Sequence, residues 1–378
     1  MQSSKMICDS LSPRGLRISS MLVTFPRFIL AELNTHRMLT KSSASSRAIP
    51  FERMLKMVVE NPFIPIAWQK DHKGMQSSEY FIEVSGDKIG TEYDDIYHAK
   101  EEWLTARDYA VIQAKQLNKQ GVTKQLCNRL LEPFMRHTVL ITATEYDNFF
   151  ELRCPRYQNK CRIYKSKKDA LMDSDGGLKI LIEENGDIHW LKINAGQAEI
   201  HMMALAESMW DCMKESTPKQ LKEGEWHIPF GDSIDGQRII DMFGSKSYVE
   251  RYSKAKTGNM FYSYYDIQTA IIRIATARCA RTSYLNFEGN DDYEADIALH
   301  DRLVVSKPQH SSPAEHCARV MTEKEYFSFY RGEAQSIEHD VNEWVELNDT
   351  TDSDNFGWCR NFRGFIQYRH LLESGGKI

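Results

Sequence analysis

Apolar and polar positions follow two periods along the chain, and the switches between them outline the elements. "RISSMLVTF", residues 17–25, reads as a strand feeding a helix that begins near Pro26, with Phe28, Ile29, Ala31 and Leu33 as its apolar content. Residues 62–96 are polar and rich in Gly, Asp and Ser, which predicts an irregular excursion. From 97 to 120, Trp103, Ala106, Tyr109, Ala110, Ala114 and Leu117 recur at three- and four-residue steps, which predicts a helix stopped by Gly121. A short helix, "TKQLCNRLLEPF", follows and ends near Pro133, and residues 138–152 begin with β character and turn helical. Residues 178–193, "LKILIEENGDIHWLKI", flank Asn185-Gly186 with two alternating runs and predict a β-hairpin arm. Helices are expected over "GQAEIHMMALAESMWDCM", near 266–281, near 292–305 and near 360–373, with a loop-rich stretch at 214–265. No repeat or low-complexity tract interrupts this order.

Composition narrows the class. With 378 residues, 42% apolar and 27% charged, the chain has the make-up of a globular protein of one large domain or two modest ones. A net charge of −5 argues against general duplex nucleic-acid binding, which calls for a basic surface, yet leaves room for a local basic pocket. Residues 1–20 are polar and no apolar run approaches the roughly 18 residues that cross a bilayer, so the expectation is a cytoplasmic protein without membrane contact. The eight cysteines are scattered without a CxxC. Cys154, Cys161 and His189 match no usual zinc spacing, and no metal is expected.

Four clusters carry candidate chemistry. The stretch "NTHRMLTKSSASSRAIP", residues 34–50, gathers His36, Arg37, Ser45 and Arg47 at a helix end and in the loop after it. Guanidinium forks, hydroxyls and loop N–H groups together suit an anion, and the same composition also suits a solvated loop. Arg129 in "NRLLEP", with Asn148 and Arg153 in "TATEYDNFFELR", reads equally as a uracil or carboxylate contact and as surface cations covering Phe149 and Phe150. In "HSSPAEH", Ser311 or Ser312 is placed to cap a helix from Pro313 with Glu315 in its first turn. The last cluster, "CRNFRGFIQYRH", sets Arg360, Arg363 and Arg369 among Phe362, Phe365 and Tyr368, either as a phosphate or stacking surface or as ordinary helix packing.

Taken together, these clusters resemble the flavin-dependent thymidylate synthases, the ThyX family. That family's signature, Arg-His-Arg, seven residues, Ser-x-Arg, is matched by "THRMLTKSSASSR", which keeps His36-Arg37, the spacing to Ser45, and Arg47. Its "SPxEH" element is similar to "SSPAEH", its "RxxLP" to "NRLLEP", and its arginine before Ala-Gln-x-Glu-Ile to Arg153 and "NAGQAEI", split by residues 154–193. Here "SPAEH" and "ATARCARTSY" follow the signature instead of preceding it, an order that resembles the circularly permuted, phage-type members. Thr35 replaces the first arginine of the signature, Glu32 a glutamine three residues earlier, and Ser43 an acidic position.

The resemblance implies an α/β (α+β) fold: one catalytic domain over 1–378, with a central mostly antiparallel sheet flanked by helices. The insertions would fall at about 62–96, 154–193 and 214–265. It implies a homotetramer that uses FAD, NADPH and 5,10-methylenetetrahydrofolate to convert dUMP to dTMP. By residue match, Glu32, Ser45, Arg47, Arg129 and Arg153 would hold dUMP, with Ser45 and Arg153 closest to the chemistry. His36, Arg37, Met38, Asn148, Ser312 and Glu315 would contact FAD. The Thr35 and Ser43 departures keep two alternatives open: a relative making another 5-substituted pyrimidine nucleotide such as 5-hydroxymethyl-dUMP, and a non-catalytic nucleotide- or RNA-binding relative.

Overall fold

The structure is a computed structural model that describes residues 2–73, 79–81, 91–159, 162–173, 194, 198–243, 247–248, 264–265, 267–286, 288–305, 309–330 and 354–375. It is a mixed α/β fold built on a five-stranded sheet. Strands β1 (Ser3–Leu11), β2 (Arg17–Pro26), β3 (Thr40–Ser43), β4 (Arg136–Ala143) and β5 (Lys219–Gln220) lie in the order β3-β4-β2-β1-β5. All pairings are antiparallel except β1 with β5.

Alternation along β2 and β4 gives the sheet two different faces. On one, Met21, Val23, Phe25, Val139, Ile141 and Ala143 pack against helices α1 (Leu30–Leu33), α4 (Asp147–Arg153) and α5 (Ile200–Glu215). The other combines Ile7, Leu140 and Cys279 with a chain of buried polar groups. Ser10 Oγ and Ser20 Oγ lie 2.9 and 2.8 Å from the two ring nitrogens of His227, Ser20 meets Thr142, and Thr142 Oγ1 lies 2.8 Å from His316 Nδ1. Such a chain fixes register, because a one-residue slip would turn every hydroxyl away from its imidazole. A second sheet of β6 (Trp226–His227), β7 (Ala318–Val320) and β10 (Phe365–Gln367) covers this side, together with helix α6 (Ile267–Arg281). A separate helical core joins α2 (Phe51–Glu60) to α3 (Thr91–Lys119) through Met54, Leu55, Val58, Val111, Ala114, Leu131 and Phe134.

Several sequence expectations are corrected. The first strand continues through Pro26 and passes into a 3-10 turn, Arg27–Ile29, so only Leu30–Leu33 is α-helical. The helix expected over 292–305 is α7 (Tyr293–His300) followed by a π-turn at Asp301–Val305. The final helix is α8 (Tyr368–Ser374) alone. Before it, residues 358–367 form strands β8 (Trp358–Cys359), β9 (Phe362–Arg363) and β10, because Gly357 and Gly364 take positive φ and turn the chain back. Ser312–Glu315 is a 3-10 turn whose N-terminal Ser311 makes no side-chain cap. The hairpin arm expected at 178–193 lies outside the described residues, as do Cys161 and His189; Cys154 is buried in the main core. Strand β1 was not anticipated: "SSKMICDSL" hides its period behind a bulge between Met6 and Cys8.

Candidate active site

At the β3 end of the sheet, short α1 closes on Asn34, and the loop after it turns sharply, with Leu39 N donating to His36 O (3.3 Å). Arg153 closes α4, where a cation suits the carbonyl-rich helix end. These two ends meet. Arg153 Nε donates to His36 Nε2 at 3.0 Å, and its Nη1 forms an ion pair with Glu32. Residues 117 and 121 positions apart in sequence thus make one cluster. Because His36 Nε2 accepts from a guanidinium, the imidazole is neutral and carries its proton on Nδ1. Burial, then Arg153 and Lys41, push its pKa down to about 4. Its ring sits edge-on to Phe149, centroids 4.9 Å apart, which fixes the orientation. Burial raises the Glu32 carboxyl above its usual range, and Arg153 opposes that shift.

A cleft of about 770 Å³ opens beside this cluster. Thr35, His36, Arg37, Met38, Asn148 and Arg153 line it from the two helix ends, and Asp354, Trp358 and Arg363 from the C-terminal hairpin. Arg37 makes no ion pair or hydrogen bond among the described residues, so its charge faces the opening. The hairpin is locked to the site loop: Asn361 Nδ2 donates to Met38 O (3.0 Å) and to Thr40 Oγ1 (2.9 Å). Arg363 belongs to the last sequence cluster and Trp358 to none; Glu145, also in the cleft wall, carried no sequence signal.

Ser45, Arg47 and Arg129 form a second grouping at the far end of β3. Arg47 contacts only Ser45 Oγ, at 3.4 and 3.5 Å, and has no ion pair among the described residues. Arg129 binds both oxygens of Glu132 (3.0 and 3.2 Å), a residue to which Ser46 also donates. Asn128 Nδ2 pins the loop by donating to Ser46 O and Ile49 O. Glu132 therefore ties Arg129 to the Ser45–Arg47 loop, a connection invisible in the sequence. Ser312 and Glu315 are not brought to the cleft within one chain. Their turn adjoins His316, on the opposite face of the sheet, and Glu315 is ion-paired with Arg369 of α8.

Thr35 is exposed, and its hydroxyl donates to the Glu32 carbonyl (2.7 Å), closing the last turn of α1.

No family model matches this chain, and no curated protein matches it in sequence. Among solved structures, the UMP/dUMP methylase PolB from Streptomyces cacaoi bound with 5-Br UMP is similar over 52% of this chain and 96% of its own. The identity is 12% and the TM-score 0.32. The same methylase bound with 5-Br dUMP gives 52% and 97% coverage, 14% identity and a TM-score of 0.31. Identities this low carry no residue role from one chain to the other.

No helix among the described residues is long and apolar enough to cross a membrane.

Proposed function

We propose that this chain modifies C5 of a pyrimidine nucleotide, as a flavin-dependent thymidylate synthase that converts dUMP to dTMP with methylenetetrahydrofolate and NADPH. The observation that carries the reading is the Arg153–His36–Glu32 cluster at the mouth of a cleft lined by Arg37, Met38 and Asn148. Residues matched separately, from two distant segments, converge on one place.

The cleft's chemistry fits FAD. Phe149, Leu152 and Trp358 supply apolar and aromatic wall, and Arg37 supplies an uncompensated cation for a phosphate or an electron-rich ring edge. Bound there by His36, Arg37, Met38 and Asn148, FAD would supply the electron transfer that the side chains themselves lack.

The protein's own part is positioning and electrostatics. Arg153 is held by Glu32 on one side and His36 on the other, so its remaining donors have a fixed direction toward a pyrimidine carbonyl. A cation there stabilises negative charge on the ring oxygens as C5 becomes nucleophilic. The neutral His36 orients Arg153 without competing for that charge. At the far end of β3, Ser45, Arg47 and Arg129 would take the 5′-phosphate, with Ser45 nearest the ring side. Ser312 and Glu315 would have to reach a cleft from a second copy of the chain, as in the homotetramer the resemblance implies.

Incubation of the purified protein with dUMP, NADPH and methylenetetrahydrofolate, followed by mass spectrometry of the nucleotide, tests the reading. The expected product has the mass of dTMP. A hydroxymethylated nucleotide would replace thymidylate synthesis by the alternative that the Thr35 and Ser43 departures motivate. A colourless protein that takes up no FAD and leaves dUMP unchanged would refute both enzyme readings.

A further inference from the structure

We propose that Lys41 is an additional nucleotide-binding residue, its ammonium facing the pyrimidine half of the substrate between the Arg153 cluster and the Ser45–Arg47 loop. The inference rests on reading that region as a pyrimidine-nucleotide site.

Strand register places the side chain. Lys41 pairs with Ile141 and Ser43 with Val139, and alternate residues of a strand share a face. Val139 and Ile141 face the core beneath α1 and α4, so Lys41 and Ser43 face the side that carries Glu32 and Arg153. The strand runs on to Ser43, about 7 Å beyond Lys41, and Ser45 follows two residues later, a reach comparable to the span from a nucleotide's base to its phosphate. A nucleotide bridging Arg153 and the Ser45–Arg47 loop therefore lies across Lys41.

The local chemistry agrees. Lys41 Nζ donates to the His36 carbonyl and has no carboxylate partner among the described residues. Two of its three donors are thus left for an oxygen acceptor such as a ring carbonyl or a sugar hydroxyl. Burial lowers its pKa to about 8, the behaviour of a cation that has given up water without gaining a counter-charge. Lys41 also accounts for the first signature position. Thr35 brings no charge there, its hydroxyl being turned to the Glu32 carbonyl. Lys41, five residues from His36, returns one positive charge to the same cluster.

Equilibrium titration of the full-length protein with dUMP tests this. Lys41→Met is expected to raise the dUMP Kd about tenfold or more. Lys41→Arg should stay within about threefold of wild type, and both unliganded proteins should melt within a few degrees of it. Equal dUMP affinity in Lys41→Met and wild type overturns the proposal and leaves the nucleotide-site reading standing. Loss of affinity in both variants with lowered melting temperatures also overturns it, making Lys41 a support of the His36 loop. A wild-type protein that binds no dUMP overturns the proposal together with the reading beneath it.

Discussion

The site turns on how one guanidinium is held. Among the described residues Arg153 has two partners, a carboxylate and a neutral imidazole, and each does a different job. Glu32 fixes the position of Arg153, and its removal should leave the guanidinium free to swing. We expect Glu32→Ala to weaken dUMP binding about tenfold with little change in melting temperature. An unchanged Kd would show that His36 alone positions the arginine. Thr35 is a different case. Its hydroxyl satisfies a helix-end carbonyl, so Thr35→Ala should cost about 0.5–1.5 kcal/mol of stability and leave FAD uptake as in wild type. Loss of FAD uptake in that variant would assign Thr35 to the cofactor. His36, Arg37, Met38, Asn148 and Arg153 line the cleft, and sequence could single them out because each sits in a short local motif. Glu132 and Trp358 were not, since each acts through a partner far away in sequence or through an aromatic wall that no spacing rule announces.

At the scale of elements, long periodic segments were readable and short ones were not. The helix near 97–120 and the helix near 266–281 appear as α3 and α6, because their apolar faces extend over several turns. The stretch 360–373 read as helix because Phe362, Phe365, Tyr368 and Leu371 fall at helical spacing. Two glycines override that period. A Cβ on Gly357, at φ 77°, would lie 2.1 Å from the Tyr326 ring, and one on Gly364 would lie 2.6 Å from Leu16 Cδ1. Gly357→Ala should therefore lower stability by about 1–3 kcal/mol and loosen the hairpin that clamps Met38 and Thr40 through Asn361. The same variant should bind FAD more weakly; wild-type stability and FAD affinity together would mean the hairpin is no wall of the cleft.

Over the whole molecule, the sheet separates two chemistries: a cationic cleft on one side and a buried chain of hydroxyls and imidazoles on the other. His227 and His316 in that chain are pushed down to about 3 by burial, and His137 to about 4 by burial and Arg27. Their folded pKa values lie below the unfolded value of about 6.5, so below that pH the unfolded chain takes up protons that the folded chain refuses. Stability should fall as pH drops from about 6.5 toward 4, with each such histidine contributing about 1.4 kcal/mol per pH unit. Urea midpoints that stay flat across this range would contradict their burial as neutral groups. Ser312 and Glu315 lie opposite the cleft, so in the proposed enzyme a single copy would leave the FAD site without them. Light scattering should then report a multimer, and a monomer that still binds FAD would remove those two residues from the site. The central claim is that Arg153 anchors a pyrimidine nucleotide, and titration of dUMP into wild type and Arg153→Ala measures it. The variant should lose more than about 30-fold in affinity while still taking up FAD. Equal affinity in the two proteins would contradict the account.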